Sequence, residues 1–261
     1  MKLSPPIVSI YLMADTDTAD LAEAAAAAGA GLFEIGIPYS DPLADGPTVQ
    51  RAGQRSLRGG MTTTRALDVL RDIRARVDVP LVPMTYAAPV MAYGEDRFCA
   101  DAAAAGASGL IVPDVPADEA GELAEGCRAH GLDLVPLLAP TSSDDRIALA
   151  CARAGGFVYL VSVAGVTGAR ERLSGRVTDL ARRVRAHTDL PLLVGFGISA
   201  PEHAIAALAA GADGVVIGSK AIEVSEAGGP DALGEFVRSI VAAVSAAPSA
   251  WVPGTGDARE A

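Results

Sequence analysis

Residues 33–50 read F-E-I-G-I-P-Y-S-D-P-L-A-D-G-P-T-V-Q, and the fold follows from where the strand inside them stops. Leu32, Phe33 and Ile35 are apolar in succession, as in a strand buried on both faces, yet Glu34 stands among them. A carboxylate in such a strand must shed water, which is costly unless the group is paired or used. The run then breaks into a Pro-, Gly- and Asp-rich loop carrying Asp41 and Asp45. Acids clustered on a strand end and the loop after it have the composition of acid/base machinery. The competing reading is a loop whose aspartates cap turns, beside one salt-bridged glutamate.

Working outward, seven more runs share the character of Leu32–Gly36: Ile7–Leu12, Pro80–Met84, Gly109–Val112, Asp133–Leu137, Phe157–Val161, Pro191–Gly195 and Gly214–Gly218. Amphipathic, Ala-rich segments lie between them. Ala66, Leu70, Ile73 and Val77 mark one helix face. Ser199-Ala200-Pro201-Glu202 has the form of a capping box with proline in the first turn. Further helices are expected over Thr18–Ala28, Glu95–Ala105, Ala117–His130, Ser143–Ala154, Arg176–Ala186 and Asp231–Ala246. Eight strand–helix units over most of 261 residues have the size and period of a (β/α)8 TIM barrel in the α/β class. The alternative, a doubly wound sheet, usually carries a Gly-rich turn after its first strand, and Tyr11-Leu12-Met13-Ala14-Asp15 has none. A single domain is expected over 1–247. Residues 248–261, with the only tryptophan, Trp251, have lost helical periodicity and read as a tail.

The formal charge is −11 and no basic run occurs, which argues against nucleic acid and anionic membrane as partners. Cys99, Cys127 and Cys151 are widely spaced in helical patterns, as buried small hydrophobes in a reducing compartment would be. His130, His187 and His203 are scattered without metal-ligand spacing, so no metal is expected. No signal peptide and no apolar run of bilayer length is evident, and the expected location is the cytoplasm.

In a (β/α)8 barrel the active site lies at the C-terminal mouths of the strands. Glu34, Asp41 and Asp45 fall there, with Tyr86 and Asp114 after other strands and Tyr159 inside one. Glycine clusters follow the last three strands: Gly165 to Gly168, Gly195 to Gly197, and Gly218 before Ser219 and Lys220. Their amides suit a phosphate, and that is how so acidic a chain would hold a phosphate ester. Lys220 is left open between adding a charge and facing solvent. The long Gly-, Thr- and Arg-rich connection Ser162 to Arg176 is expected to close over substrate as a lid.

These motifs, together with M-T-Y-A at 84–87, V-P-D-V-P at 112–116 and Y-L-V-S-V-A-G-V-T-G at 159–168, resemble the tryptophan synthase α-subunit family over about residues 7–245. The resemblance implies a (β/α)8 barrel that cleaves indole-3-glycerol phosphate to indole and glyceraldehyde 3-phosphate without metal or organic cofactor. It also implies a pyridoxal-phosphate-dependent β subunit as partner in an α2β2 complex. Position by position, it implies that Glu34 is the mobile general acid/base, that Asp45 faces the indole nitrogen, and that Tyr159 stands near the reacting centre. By the same token, Gly168, Gly197, Gly218 and Ser219 would cradle the phosphate, and Asp41 and Pro42 would lie on the loop facing the β subunit.

The chain departs from the family pattern in the first loop, A-D-T-D-T at 14–18, and at Ala88, Val163 and Lys220. The departures in the first loop and at Ala88 bear on β-subunit coupling; none touches Glu34 or Asp45. Two other functions therefore stay open at this stage. One is a stand-alone indole-3-glycerol-phosphate lyase supplying free indole to another pathway. The other is a non-catalytic module that senses phosphate esters to regulate a β subunit, against which the intact Glu34 and Asp45 argue.

Overall fold

In the computed structural model, which describes residues 1–161, 170–195 and 197–247 with 170–174 as backbone alone, the apolar runs are parallel strands and the periodic segments are helices. The order is β1 Ile7–Met13, α1 Thr18–Ala27, β2 Leu32–Gly36, α2 Pro47–Arg58, α3 Thr63–Arg74, β3 Leu81–Met84, α4 Ala87–Tyr93, α5 Glu95–Ala104 and β4 Gly109–Leu110. It continues α6 Gly121–Ala129, β5 Asp133–Leu134, β6 Leu137–Leu138, α7 Asp144–Arg153, β7 Val158–Val161, α8 Arg170–Arg185, β8 Leu192–Gly195, α9 Pro201–Ala209, β9 Gly214–Ile217 and α10 Ser219–Ala246.

Seven strands form one parallel sheet in the order β3-β2-β1-β9-β8-β7-β6, and β4 pairs with β5. The first strand thus lies between the second and the last, Tyr11 opposite Glu34 on one side and Ser9 opposite Val216 on the other. That adjacency curls the sheet. A parallel bridge from Met84 to Ile111 joins β3 to the residue after β4. The chemistry of the core explains why the strands read as unbroken apolar runs. On β1, Val8, Ile10 and Leu12 pack outward with the helices. Ile7 packs inward with Leu32, Val82, Ile111, Val135, Phe157, Leu193 and Val216. Both faces are covered, so both are built mainly of apolar side chains.

Several expectations change on contact with the backbone. The run Asp133–Leu137 is two short strands, because Pro136 has no N–H to give to a ladder. Val135 N–H instead donates to Leu110 O, and Pro136 O accepts from Tyr159 N, both at 3.0 Å. Helices α2 and α4 are additions. The α2 helix starts with proline in its first turn behind Gly46. Its buried residues, Val49, Ala52, Gly53 and Ser56, keep helical spacing, but only Val49 is a large apolar side chain. The capping box at Ser199 to Glu202 does not form: the cap is Ala200, and Ser199 N–H reaches His203 Nδ1 at 3.3 Å. The α10 helix is two successive helices with a kink between them at Gly229 (φ 65°), before Pro230. The expected lid, Ser162 to Arg176, is helical from Arg170 onward. Residues 162–169, with Gly165 to Gly168, lie outside the described residues, as do Phe196 and the tail 248–261. Among the described residues no helix is long and apolar enough to cross a membrane.

Candidate active site

Glu34 sits mid-sheet on β2, between Tyr11 of β1 and Val82 of β3. It is 1% exposed. The Ser9 hydroxyl donates to Glu34 Oε1 at 3.3 Å. Burial raises its pKa to about 8, and the Ser9 hydrogen bond offsets only part of that. At neutral pH the group is therefore an acid with a proton to give.

Asp45 reaches the same place from the loop after β2. Its backbone N–H donates to Pro42 O at 3.2 Å, and Gln50 Nε2 donates to its carbonyl at 2.8 Å, which folds the loop back over the strand ends. Tyr86, at the N-cap of α4, accepts a hydrogen bond from Ala44 N–H at 3.1 Å. Half-burial raises Asp45 to about 6, and the Tyr86 hydroxyl donating to its carboxylate holds it from rising further. At neutral pH Asp45 is ionised while Glu34 is not. Two carboxyl groups pushed to different values divide the roles of charge and proton donor. Asp41 takes no part in this. It is exposed on the outer bend, accepting from Ser40 Oγ at 2.9 Å, beside half-buried Pro42 and Leu43, which is 88% exposed. The backbone thus sends two of the three acids inward and one outward. Asp114 also serves structure, accepting from Ala87 N–H at 2.9 Å.

Glu34, Asp45, Tyr159, Gly197, Gly218 and Ser219 all line one cavity of about 210 Å³. Gly168 lies outside the described residues. At one end of the cavity stand the glycines and the start of α10. Gly197 has φ 84°, a conformation costly to any other residue. Gly218 caps α10, and the N–H groups of the first turn have no helical acceptor. Lys220 and Glu223 are on this wall, with Lys220 Nζ 3.6 Å from Glu223 Oε2. Gly195 has a different task from Gly197. A Cβ there would meet the Tyr159 hydroxyl at 2.0 Å, and a Cβ at Gly36 would meet the Tyr11 hydroxyl at the same distance. These glycines make room for two tyrosines that close over the inner face of the sheet. Both tyrosines are buried, and burial holds both hydroxyls well above their ordinary range, hence protonated.

Tyr11, Ser9, Met84 and Val49 are site residues that the sequence reading did not single out. The signal for Tyr11 and Ser9 was polar residues inside an apolar run, the same signal that marked Glu34. Among the described residues no group of three or more His, Cys, Asp or Glu side chains is placed to hold a metal ion.

Comparison with known proteins gives the site its context. The family described as "Tryptophan synthase alpha chain" matches residues 9–241. The tryptophan synthase alpha chain of Chloroflexus aurantiacus is 46% identical over 245 residues, 92% of each chain. That of Methanosarcina mazei is 49% identical over 222 residues, 84% of this chain and 80% of the relative. Among solved structures, tryptophan synthase subunit alpha from Legionella pneumophila superposes with a TM-score of 0.83 at 34% identity, covering 92% of both chains. A chain of the tryptophan synthase complex from Pyrococcus furiosus gives 0.84 at 33% identity, covering 92% of this chain and 100% of that one.

Proposed function

The chain belongs to the tryptophan synthase alpha chain family and serves tryptophan biosynthesis as a lyase, and on that footing we propose that its cavity cleaves indole-3-glycerol phosphate to indole and glyceraldehyde 3-phosphate. The observation that carries this reading is the meeting of a protonated Glu34 and an ionised Asp45 in a cavity also lined by Gly197, Gly218 and Ser219 at the start of α10.

Retro-aldol cleavage needs a proton at indole C3 and the loss of another from the glycerol hydroxyl. Glu34 supplies the first, and the ring becomes cationic. The Asp45 carboxylate, near the ring N–H, stabilises that charge. Glu34, now ionised, takes the hydroxyl proton. The C=O bond forms, the C–C bond breaks, and its electron pair returns to the ring. Glu34 ends protonated as it began, so the cycle needs neither metal nor organic cofactor. Tyr159 packs against the reacting centre, and the amides at Gly197, Gly218 and Ser219, with Gly168, take the phosphate.

The same reading extends to architecture and partner. We take the curled sheet to close as a (β/α)8 barrel in a single domain over 1–247. The inner cluster, which draws on eight successive strand positions from Ile7 to Val216, supports this. Asp41 and Pro42 are assigned to the contact with a β subunit in an α2β2 assembly. The exposure of neighbouring Leu43 and of Met91 on α4, at 88% and 66%, supports a partner at this rim. The cytoplasm is the compartment such a biosynthetic role implies.

Glu34→Gln keeps the shape of the site and removes its proton. Steady-state turnover should fall by about a thousandfold while affinity for the phosphate ester stays nearly unchanged. Turnover close to that of the wild type would overturn the assignment.

A further inference from the structure

We propose that Lys220 is a phosphate clamp, whose ammonium leaves Glu223 to pair with the phosphate of the bound ester and so sets the affinity of the site for phosphate esters. The inference rests on reading this end of the cavity as the phosphate end.

Three observations carry it. Lys220 shares the cavity wall with Gly197, Gly218 and Ser219, and among the described residues it is the one cation there. The other ionisable carboxyl groups on the wall are Glu34, Asp45 and Glu223, in a chain of net charge −11. An anionic ester entering this cavity meets repulsion from every charged side chain but Lys220. Second, Lys220 is the second residue of α10, at the positive end of the helix dipole, where a cation is disfavoured. An anion seated on the same first turn reverses that penalty, because it attracts both the amides and the ammonium. Third, the resting partner holds the lysine loosely. The separation of 3.6 Å from Glu223 is longer than a charge-assisted hydrogen bond, and the two side chains are 37% and 50% exposed. Glu223 neutralises the ammonium without fixing it, and by the same token competes with the phosphate for it.

The competition gives the test two signs. Isothermal titration of the full chain with inorganic phosphate and with glycerol 3-phosphate reads the affinity directly, without turnover. Lys220→Met should weaken binding about tenfold and flatten its dependence on salt, and Lys220→Arg should retain it within about twofold. Glu223→Gln should tighten binding severalfold, because the competing carboxylate is gone. Melting curves matching the wild type establish that each variant is folded, and Glu223→Gln, with its opposite sign, cannot be mistaken for damage. Equal affinity in the wild type and Lys220→Met, or unchanged affinity in Glu223→Gln, overturns this inference and leaves the phosphate end intact. Failure of the wild type to bind either probe overturns both.

Discussion

At the scale of the residue, the site is governed by one buried carboxyl group and what its burial costs. The folded pKa of Glu34, about 8, lies above its unfolded value near 4.5, so between those values the folded chain holds a proton that the unfolded chain has lost. Stability contributed by this position is therefore greatest below the unfolded value and falls as pH rises toward 8. Above that, the full cost applies, on the order of 5 kcal/mol. Glu34→Gln should melt at a higher temperature than the wild type above about pH 8, and the gap should close toward about pH 5. A gap that does not change with pH would mean the carboxyl group is not the source. The same values set the rate profile. With Glu34 as the proposed acid and Asp45 as the proposed charge, activity requires Asp45 ionised and Glu34 protonated, so kcat/KM should rise through about pH 6 and fall through about pH 8. Ser9 tunes the upper limb, since its hydroxyl favours the ionised form of Glu34. Ser9→Ala should move that limb to higher pH and leave the lower one in place. A shift of both limbs together, or of neither, would show that Ser9 only fills space.

At the scale of the element, neighbouring strands are matched large to small. Tyr159 on β7 lies over Gly195 on β8, and Tyr11 on β1 lies over Gly36 on β2. Each pair spans two adjacent strands, so the fit depends on their register as much as on the residue types. In Gly195→Ala the new Cβ would stand 2.4 Å from Tyr159 Cζ as well as 2.0 Å from its hydroxyl, so losing the hydroxyl alone gives no relief. Overpacking of this kind costs about 1–3 kcal/mol. Gly195→Ala should lower stability by that amount, and Tyr159→Leu in the same chain should recover most of it. A double-mutant cycle by thermal denaturation measures the coupling. Additive effects would refute the contact. The glycine cluster at the end of β8 is in this sense two signals in one. Gly195 is a spacer and Gly197 lines the cavity, and sequence alone cannot separate them, because the tyrosine that requires the spacer is 36 positions away.

At the scale of the whole molecule, what was legible and what was not divide along a physical line. Strands buried on both faces have no choice of residue type, so the eight apolar runs stood out, and Glu34 stood out against one of them. Helix α2 did not, because its buried face, Val49, Ala52, Gly53 and Ser56, keeps helical spacing but is built almost wholly of small residues in an otherwise polar segment. Tyr11 and Ser9 carried the same local mark as Glu34, a polar group inside an apolar run, and Lys220 and Glu223 have the i, i+3 spacing of a helical pair. That Tyr11, Lys220 and Glu223 share a cavity with Glu34 depends on how the sheet curls, which no local pattern records. The outward turn of Asp41 was hidden for the same reason. It separates the loop after β2 into an inner limb ending at Asp45 and an outer bend of Asp41, Pro42 and Leu43. If a β subunit docks on that bend, its binding pushes on the segment that positions Asp45, through the Ala44 to Tyr86 hydrogen bond and the Tyr39 and Tyr86 rings 5.5 Å apart. Adding a purified β subunit should therefore raise the rate of indole-3-glycerol phosphate cleavage by the isolated chain. Leu43→Asp should abolish that increase while the rate of the chain alone stays as it was, since Leu43 is exposed and lines no part of the cavity. A chain that is fast alone and indifferent to the β subunit would instead be a free-standing producer of indole. The outer bend would then be an ordinary surface loop, and the departures at Ala88 and in the first loop would mark the lost coupling.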